Sequence, residues 1–177
     1  MKLRSLTAIL FAAGMCLAGG ASAQQPAAAP NLDAIPPQMP FDIPYGPPVS
    51  LEKAQALIQA AIAEATKHGW HYDVAVVDSG ANLVAFARMT DGPLGSISIA
   101  EHKARAAAKY RRPTHVFEDA VQKFDFKYLL SLDDIVASRG GIPLIEGGKI
   151  IGAIGCSAGT GSQDEEVCQA AIKAVMK

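Results

Sequence analysis

The stretch GGIPLIEGGKIIGAIGCSAGTGSQDEEV, residues Gly140–Val167, carries the local signals that decide the fold. Two β-rich runs, Ile142–Ile145 and Lys149–Cys156, flank the turn Glu146-Gly147-Gly148. A tight turn that matches the twist of its strands needs positive φ at its centre, which glycine adopts without strain. Gly-Gly between two apolar runs therefore predicts a β-hairpin.

A helix is predicted after the glycine-rich loop that follows this hairpin. Ser162 and Glu165 have the spacing of a capping box, in which two backbone donors at the helix start are satisfied reciprocally. Asp164, Glu165 and Glu166 place negative charge in the first turn, where the helix dipole favours it. The stretch as a whole predicts strand, turn, strand, loop and helix.

A helix and a second hairpin are predicted upstream. Ser50 can cap a helix that runs to about His68 and ends at Gly69. Val74–Asp78 and Leu83–Met89 then have the pattern of a second hairpin.

A third helix is predicted from the cap candidates Ser96 and Ser98 to about Tyr110, with a core face made of alanines. Two short helical pieces, Val116–Val121 and Lys127–Ile135, are predicted before the final hairpin. Strand pairs joined by tight turns and separated by helices indicate the α+β class, with a central antiparallel sheet and flanking helices.

The first 23 residues have the pattern of a secretory signal peptide. Lys2 and Arg4 form a charged start, residues 6–18 are apolar, and Ala21-Ser22-Ala23 is a small-residue cleavage site. The apolar run is too short to span a bilayer comfortably. We therefore expect a periplasmic or secreted protein that has no membrane partner after cleavage.

Residues 24–48 are rich in alanine and proline, and this composition predicts an extended linker or arm. Its alternating apolar residues, from Met39 to Tyr45, allow it to lie on the domain or on a neighbouring subunit. A disordered tether is the alternative. Residues 49–177 are long enough for one domain with a sizeable core.

Charge argues against nucleic acid as a partner. The formal net charge of the 177 residues is −1, and it becomes −3 once Lys2 and Arg4 are removed. A weakly acidic chain lacks the basic surface that nucleic acids require.

Several motifs occur together in the order found in the haem-binding and haem-degrading domains typified by HbpS and GlcG proteins. They are Val76–Leu83, Phe86–Gly92, Ser96–Ala104, Gly140–Pro143, and Ile151–Gly155 with Gln163–Glu165. From about Leu51 onward the chain resembles this family. The resemblance implies a profilin-like or PAS-like sandwich and a homo-oligomer.

The resemblance also implies haem, or a related tetrapyrrole, as a non-covalently bound small-molecule ligand. The first hypothesis is an exported haem-binding protein for storage, transfer or sensing. A haem-degrading enzyme of the same family and an accessory protein that binds another small molecule are the alternatives. A binding protein is favoured over an enzyme because the sequence shows no dedicated redox relay.

His102 is the first candidate for the metal ligand, since imidazole is a common axial ligand of haem iron. It lies in a predicted helix beside Lys103 and near Arg105, whose charges suit the haem propionates. An ordinary surface histidine beside an i,i+4 pair of Glu101 and Arg105 is the alternative. His68, His71 and His115 are further candidates, as are Met89, Lys103, Tyr110 and Tyr128.

Arg88 and Asp91 are predicted binding residues because they match polar positions of the family motif. Tyr110, Arg112 and His115 are predicted because they belong to the basic and aromatic stretch Lys103–Tyr128. The aromatics at positions 110, 117, 124, 126 and 128 could sandwich a flat macrocycle. Packing of this segment onto the core is the preferred interpretation.

Cys156 and Cys168 are the two cysteines left after cleavage. An even count permits a disulfide in an oxidising compartment. Two small buried hydrophobic residues are the alternative.

Overall fold

The computed structural model describes residues 34–176, which contain one four-stranded antiparallel sheet in the order β2-β1-β4-β3. The strands are β1 (Asp73–Asp78), β2 (Leu83–Arg88), β3 (Gly141–Glu146) and β4 (Lys149–Ser157). The helices are α1 (Leu51–Lys67), α2 (Leu94–Lys109), α3 (His115–Phe124) and α4 (Gly161–Val175), with a short 3₁₀ turn at Lys127–Ser131. The α+β class and both hairpins are confirmed, whereas the signal peptide and residues 24–33 lie outside the described residues.

Helices cover both faces of the sheet, a layering that the sequence did not reveal. Alternate residues of a strand point to opposite faces. Val74 and Val76 of β1 pack in one core cluster with residues of α1 and α4. Ala75 and Val77 pack in a second cluster with the alanines of α2. The sheet is therefore the middle layer of a three-layer sandwich.

Helix α2 approaches the sheet closely because glycine and alanine line the contact. A Cβ atom added at Gly155 would lie 2.1 Å from the carbonyl oxygen of Ala100, and one at Gly141 would lie 2.3 Å from that of Lys103. Neither position accepts a side chain, so these two glycines set the distance between α2 and β3–β4.

The described part of the arm, residues 34–48, includes a segment that lies on the domain. Gly46 donates to the carbonyl of Ile150 at 2.8 Å, and the amide of Ile150 donates to Pro44 at 2.9 Å. The hydroxyl of Tyr45 donates to the carbonyl of Lys109 at 2.9 Å. Of the two alternatives for this segment, packing on the domain is the one that the structure shows.

The start of α4 differs from the predicted capping box. Thr160, not Ser162, is the cap: its hydroxyl accepts from the amide of Gln163 at 3.4 Å, and the Gln163 side chain accepts from the amide of Thr160 at 2.9 Å. Two overlapping pairs with the same spacing exist in the sequence, and the earlier pair is used. The prediction of Ser162 and Glu165 was wrong, and Glu165 is consequently free for another contact.

Two other boundaries also differ. Helix α2 begins at Leu94 after Pro93 and has no side-chain cap, so neither Ser96 nor Ser98 is the cap. Ser96 is instead buried. The piece predicted as Lys127–Ile135 is helical only over Lys127–Ser131.

A buried ion pair connects α2 with α4. The ammonium of Lys103 lies 2.6 Å from Oδ2 of Asp164, and the two side chains are 1% and 3% exposed. The other carboxylate oxygen of Asp164 accepts from the amides of Ala158 and Gly159 at 3.2 and 3.0 Å. One carboxylate therefore stabilises the loop before α4 and neutralises a buried ammonium group.

A disulfide joins β4 to α4 close to this pair. Cys156 and Cys168 are bonded, with their Cα atoms 5.8 Å apart. The disulfide interpretation of the two cysteines is the one that the structure shows.

Asp73 is a second buried carboxylate, but it has no comparable partner. Its side chain is buried, and within residues 34–176 neither carboxylate oxygen has a hydrogen-bond partner. Burial raises the pKa of Asp73, and the nearby charge of Arg88 only partly opposes the shift. The ionised form of Asp73 therefore destabilises the folded state.

We expect Asp164→Asn to lower the free energy of unfolding by about 3–5 kcal/mol, because it leaves the ammonium of Lys103 buried without a counter-charge. Asparagine still accepts from the amides of Ala158 and Gly159, so the charge alone is removed. Urea unfolding followed by circular dichroism measures the change.

The control for this prediction is Lys127→Met, which removes the pair with Asp125, whose two side chains are 74% and 76% exposed, and should cost less than about 1 kcal/mol. A loss below about 1 kcal/mol in Asp164→Asn would show that the buried pair does not stabilise the fold.

We expect Asp73→Asn to stabilise the protein at pH 7, by about 1–3 kcal/mol, because it removes a buried charge without a partner. The folded state holds the Asp73 proton more tightly than the unfolded state, so the wild type gains stability as the pH falls through the raised pKa. The advantage of the variant should therefore shrink toward pH 4. Thermal unfolding of both proteins between pH 4 and pH 8 measures this difference.

Asp91→Asn is the matched control, because Asp91 is exposed and has positive φ, which asparagine tolerates. Destabilisation of Asp73→Asn at pH 7 would contradict the prediction.

Candidate functional site

A cavity with aromatic walls lies beside α3, with a volume of about 580 Å³. We call it the aromatic pocket. Its principal lining residues are Phe41, Arg112, His115, Phe117, Phe126 and Tyr128. Volumes of 300–1,000 Å³ and apolar walls with a few polar groups are typical of small-molecule sites.

Three separate segments of the chain build these walls. Phe41 comes from the arm, Phe117 from α3, and Phe126 and Tyr128 from the loop and 3₁₀ turn after α3. The rings of Phe126 and Tyr128 lie 6.1 Å apart. Phe117 is fully buried, whereas Tyr128 is 57% exposed. The aromatic cluster thus both anchors α3 to the domain and leaves an open face for a ligand.

Arg112 supplies the positive charge of the pocket. Its guanidinium lies 3.8 Å from the ring centre of Phe41 and 5.8 Å from that of Phe117. Its Nε donates to the carbonyl of Tyr110 at 2.8 Å. Burial lowers the pKa of Arg112, and the neighbouring charge of Arg111 adds to the shift. Within the described chain its two terminal nitrogens make no hydrogen bond, so they remain available to an anionic group.

His115 is the imidazole of the pocket, and Glu165 of α4 holds it in place. Nδ1 of His115 lies 2.9 Å from Oε1 of Glu165, and the His115 side chain is 40% exposed. With Nδ1 donating to the carboxylate, the neutral ring carries its lone pair on Nε2. Among residues 34–176 no protein group bonds to Nε2. A carboxylate behind a histidine is the arrangement that orients metal-ligating imidazoles.

A network around Arg139 fixes Glu165 in turn. Arg139 lies 3.6 Å from the second oxygen of Glu165 and donates to Glu118 from its backbone amide at 2.7 Å and from Nε at 3.0 Å. Burial would raise the pKa of Glu118, but the hydrogen bonds from Arg139 outweigh it and lower that pKa. The carboxylate of Glu118 is therefore ionised at neutral pH and keeps its contacts with Arg139.

The residues predicted on α2 do not line the aromatic pocket. His102 is half-buried on α2 and has no hydrogen-bond partner among residues 34–176. Lys103 lies on the buried face of α2, which packs on the sheet. Its ammonium is paired with Asp164 and does not reach the pocket. Arg105 pairs with Glu101 at 2.9 Å, as the alternative for this helix predicted.

Arg88 is the register partner of Asp73 at the start of β1, Asp91 lies in the exposed turn after β2, and neither lines the aromatic pocket. The Nε of Arg88 donates to the carbonyl of Gly92 at 3.1 Å. Tyr110 packs edge-on against Phe117 at 5.5 Å and donates its hydroxyl proton to the carbonyl of Asp133. Of the predicted site residues, Arg112 and His115 line the aromatic pocket, together with the further candidate Tyr128 and the predicted aromatics Phe117, Phe124 and Phe126.

Two residues of the candidate site, Phe41 and Glu165, were not predicted from the sequence as site residues. Phe41 was assigned only to an arm, and Glu165 was assigned to a helix cap. The separation of fifty residues between His115 and Glu165 leaves no local signal for their contact.

Within residues 34–176 the structure has no helix that is both long and apolar enough to cross a membrane.

Comparison with known proteins is consistent with the sequence resemblance. Residues 49–173 match the family model described as "Haem degrading protein HbpS-like". Protein GlcG of Escherichia coli K12 is 36% identical over 109 residues, which cover 62% of this chain and 81% of GlcG.

Two solved structures share the fold. The crystal structure of HbpS has a TM-score of 0.70 at 26% identity, covering 79% of this chain and 99% of that one. A structure described as the PduOC:haem complex has a TM-score of 0.67 at 29% identity, covering 73% and 96%. The family model spans most of the chain, and the chain therefore belongs to the HbpS-like family.

Proposed function

We propose that this protein binds haem, or a closely related tetrapyrrole, in the aromatic pocket, with Nε2 of His115 as the iron ligand. The observation that carries the proposal is the geometry of His115: Glu165 holds Nδ1 at 2.9 Å, and the ring borders a cavity with aromatic walls. Membership of the HbpS-like family and the likeness to a haem-bound PduOC structure support it.

The donor set fits this group in three respects. Neutral imidazole is a common axial ligand of haem iron. Aromatic walls bury a flat apolar ring system, and Asp119 is the acidic residue of the pocket lining. Arg112 offers free guanidinium nitrogens, which suit a propionate because they can form two parallel hydrogen bonds to one carboxylate.

Haem would supply iron-centred ligand binding, and the residues of the chain would decide how it is held. Glu165 would fix the tautomer and the ring orientation of His115. Arg112 would hold the acidic edge of the ligand, and Tyr128, which is 57% exposed, borders the open face of the pocket. These roles describe binding, so storage or transfer is favoured over degradation.

We further propose that the protein is exported. The signal-peptide pattern of residues 1–23 and the Cys156–Cys168 disulfide support this, because disulfides persist in oxidising compartments. Residues 24–48 would then be the start of the mature chain, and residues 49–177 its single domain. The homo-oligomer stays a prediction.

We expect the purified protein to bind hemin saturably at one site, with a shift of the Soret band to the position typical of histidine ligation. His115→Ala should weaken binding by at least about tenfold, and Glu165→Gln by about 10–100-fold, the cost typical of losing the partner of a ligating histidine. Absorbance titration against a protein-free blank measures both.

His102→Ala is the matched control, because His102 is also a partly exposed helical histidine but lies outside the pocket lining. Loss of binding in His102→Ala with retention in His115→Ala would place the ligand on α2 and contradict the proposed site. Release of iron under reductant, unaffected by catalase, would indicate enzymatic degradation instead of storage.

We expect expression in a bacterial host to place the protein in the periplasm or medium, with Gln24 as the first residue. Fractionation and N-terminal sequencing measure this. An intact Met1 on protein recovered from the cytoplasm would contradict export.

A further inference from the structure

A second cluster of candidate metal ligands lies where the end of α1 meets the first turns of α4. Glu64 and His68 are four residues apart at the end of α1, and Glu166 approaches from α4. One ligand atom from each of the three side chains lies within 4.8 Å of the others. None of the three lines the aromatic pocket.

We propose that Glu64, His68 and Glu166 form a binding site for one divalent transition-metal ion, with Zn²⁺ as its representative. Zn²⁺ is bound in proteins by imidazole nitrogen and carboxylate oxygen, usually in a tetrahedral arrangement. Three protein ligands leave a fourth position for water. One imidazole with two carboxylates suits such an ion better than Mg²⁺ or Ca²⁺, which prefer oxygen alone.

The local charge favours a cation at this position. Two carboxylates from different helices are held close together, and a divalent ion would neutralise both. The cluster also lies at the C-terminal end of α1, where the unpaired carbonyl groups attract positive charge. The i,i+4 spacing at the end of α1 and the approach of α4 therefore bring the three ligands together before any ion binds.

Lys67 is the group that an ion must displace. Its ammonium lies 2.6 Å from Oε2 of Glu64, while Nε2 of His68 lies 3.2 Å from Oε1. The Lys67 side chain is 68% exposed and can return to solvent without loss of packing.

Trp70 both restricts the histidine and reports on the site. The rings of His68 and Trp70 stack with their centres 4.3 Å apart and their planes 18° apart. Stacking limits the rotation of the imidazole, which reduces the entropy lost when it coordinates an ion. Trp70 is the single tryptophan of the chain, so its fluorescence reports this position alone.

We expect Zn²⁺ to bind saturably with one ion per chain in isothermal titration calorimetry of the purified protein. Ni²⁺ should quench the fluorescence of Trp70, and Zn²⁺ should compete with this quenching. His68→Ala and Glu166→Gln should each weaken binding by at least about tenfold, the range seen when metal sites lose supporting groups.

His71→Ala is the matched control, because His71 is an exposed histidine next to Trp70 but is absent from the cluster. It should leave both signals unchanged, as should His115→Ala, which separates this site from the haem proposal. Absence of saturable binding, or equal binding in wild type and His68→Ala with unchanged circular dichroism, would overturn the inference. Equal losses in His71→Ala and His68→Ala would overturn it too.

Discussion

The buried ion pair between Lys103 and Asp164 couples α2 to α4 and to the loop that precedes α4. It ties α2 on one face of the sheet to α4 on the other, with both side chains almost fully shielded from water. Two charges in such a setting are tolerated only when each satisfies the other and the remaining lone pairs find donors. Asp164 meets this condition through the amides of Ala158 and Gly159.

The ion pair also explains the glycines at the start of β3. A Cβ atom at Gly140 would lie 2.6 Å from the Cβ of Asp164 and 3.2 Å from the ammonium of Lys103, and φ at Gly140 is +113°. A side chain there would push the two charged groups apart. The absence of a side chain at Gly140 therefore leaves the room that the Lys103–Asp164 pair needs to stay in contact.

Fixing Asp164 fixes the two acids that follow it. Successive residues of a helix project about 100° apart, so Glu165 and Glu166 point to different sides of α4. Glu165 reaches His115 at the aromatic pocket, and Glu166 reaches His68 at the end of α1. The contacts that hold Asp164 therefore also orient Glu165 toward the aromatic pocket and Glu166 toward His68.

The sequence predicted those parts of the molecule that local chemistry controls. The Gly147-Gly148 turn and the Ser50 cap needed only neighbouring residues, and both are confirmed. The predicted cap of α4 was wrong because two overlapping pairs, Thr160 with Gln163 and Ser162 with Glu165, have the same spacing. The tertiary contacts of Asp164 select between them. Lys103 was predicted as a ligand-binding residue, whereas the structure shows it buried and paired with Asp164; its position between Ala100 and Ala104, in a helical stripe of alanines, marks a buried face. The His115–Glu165 contact had no such local marker, because it depends on how α3 packs beside α4.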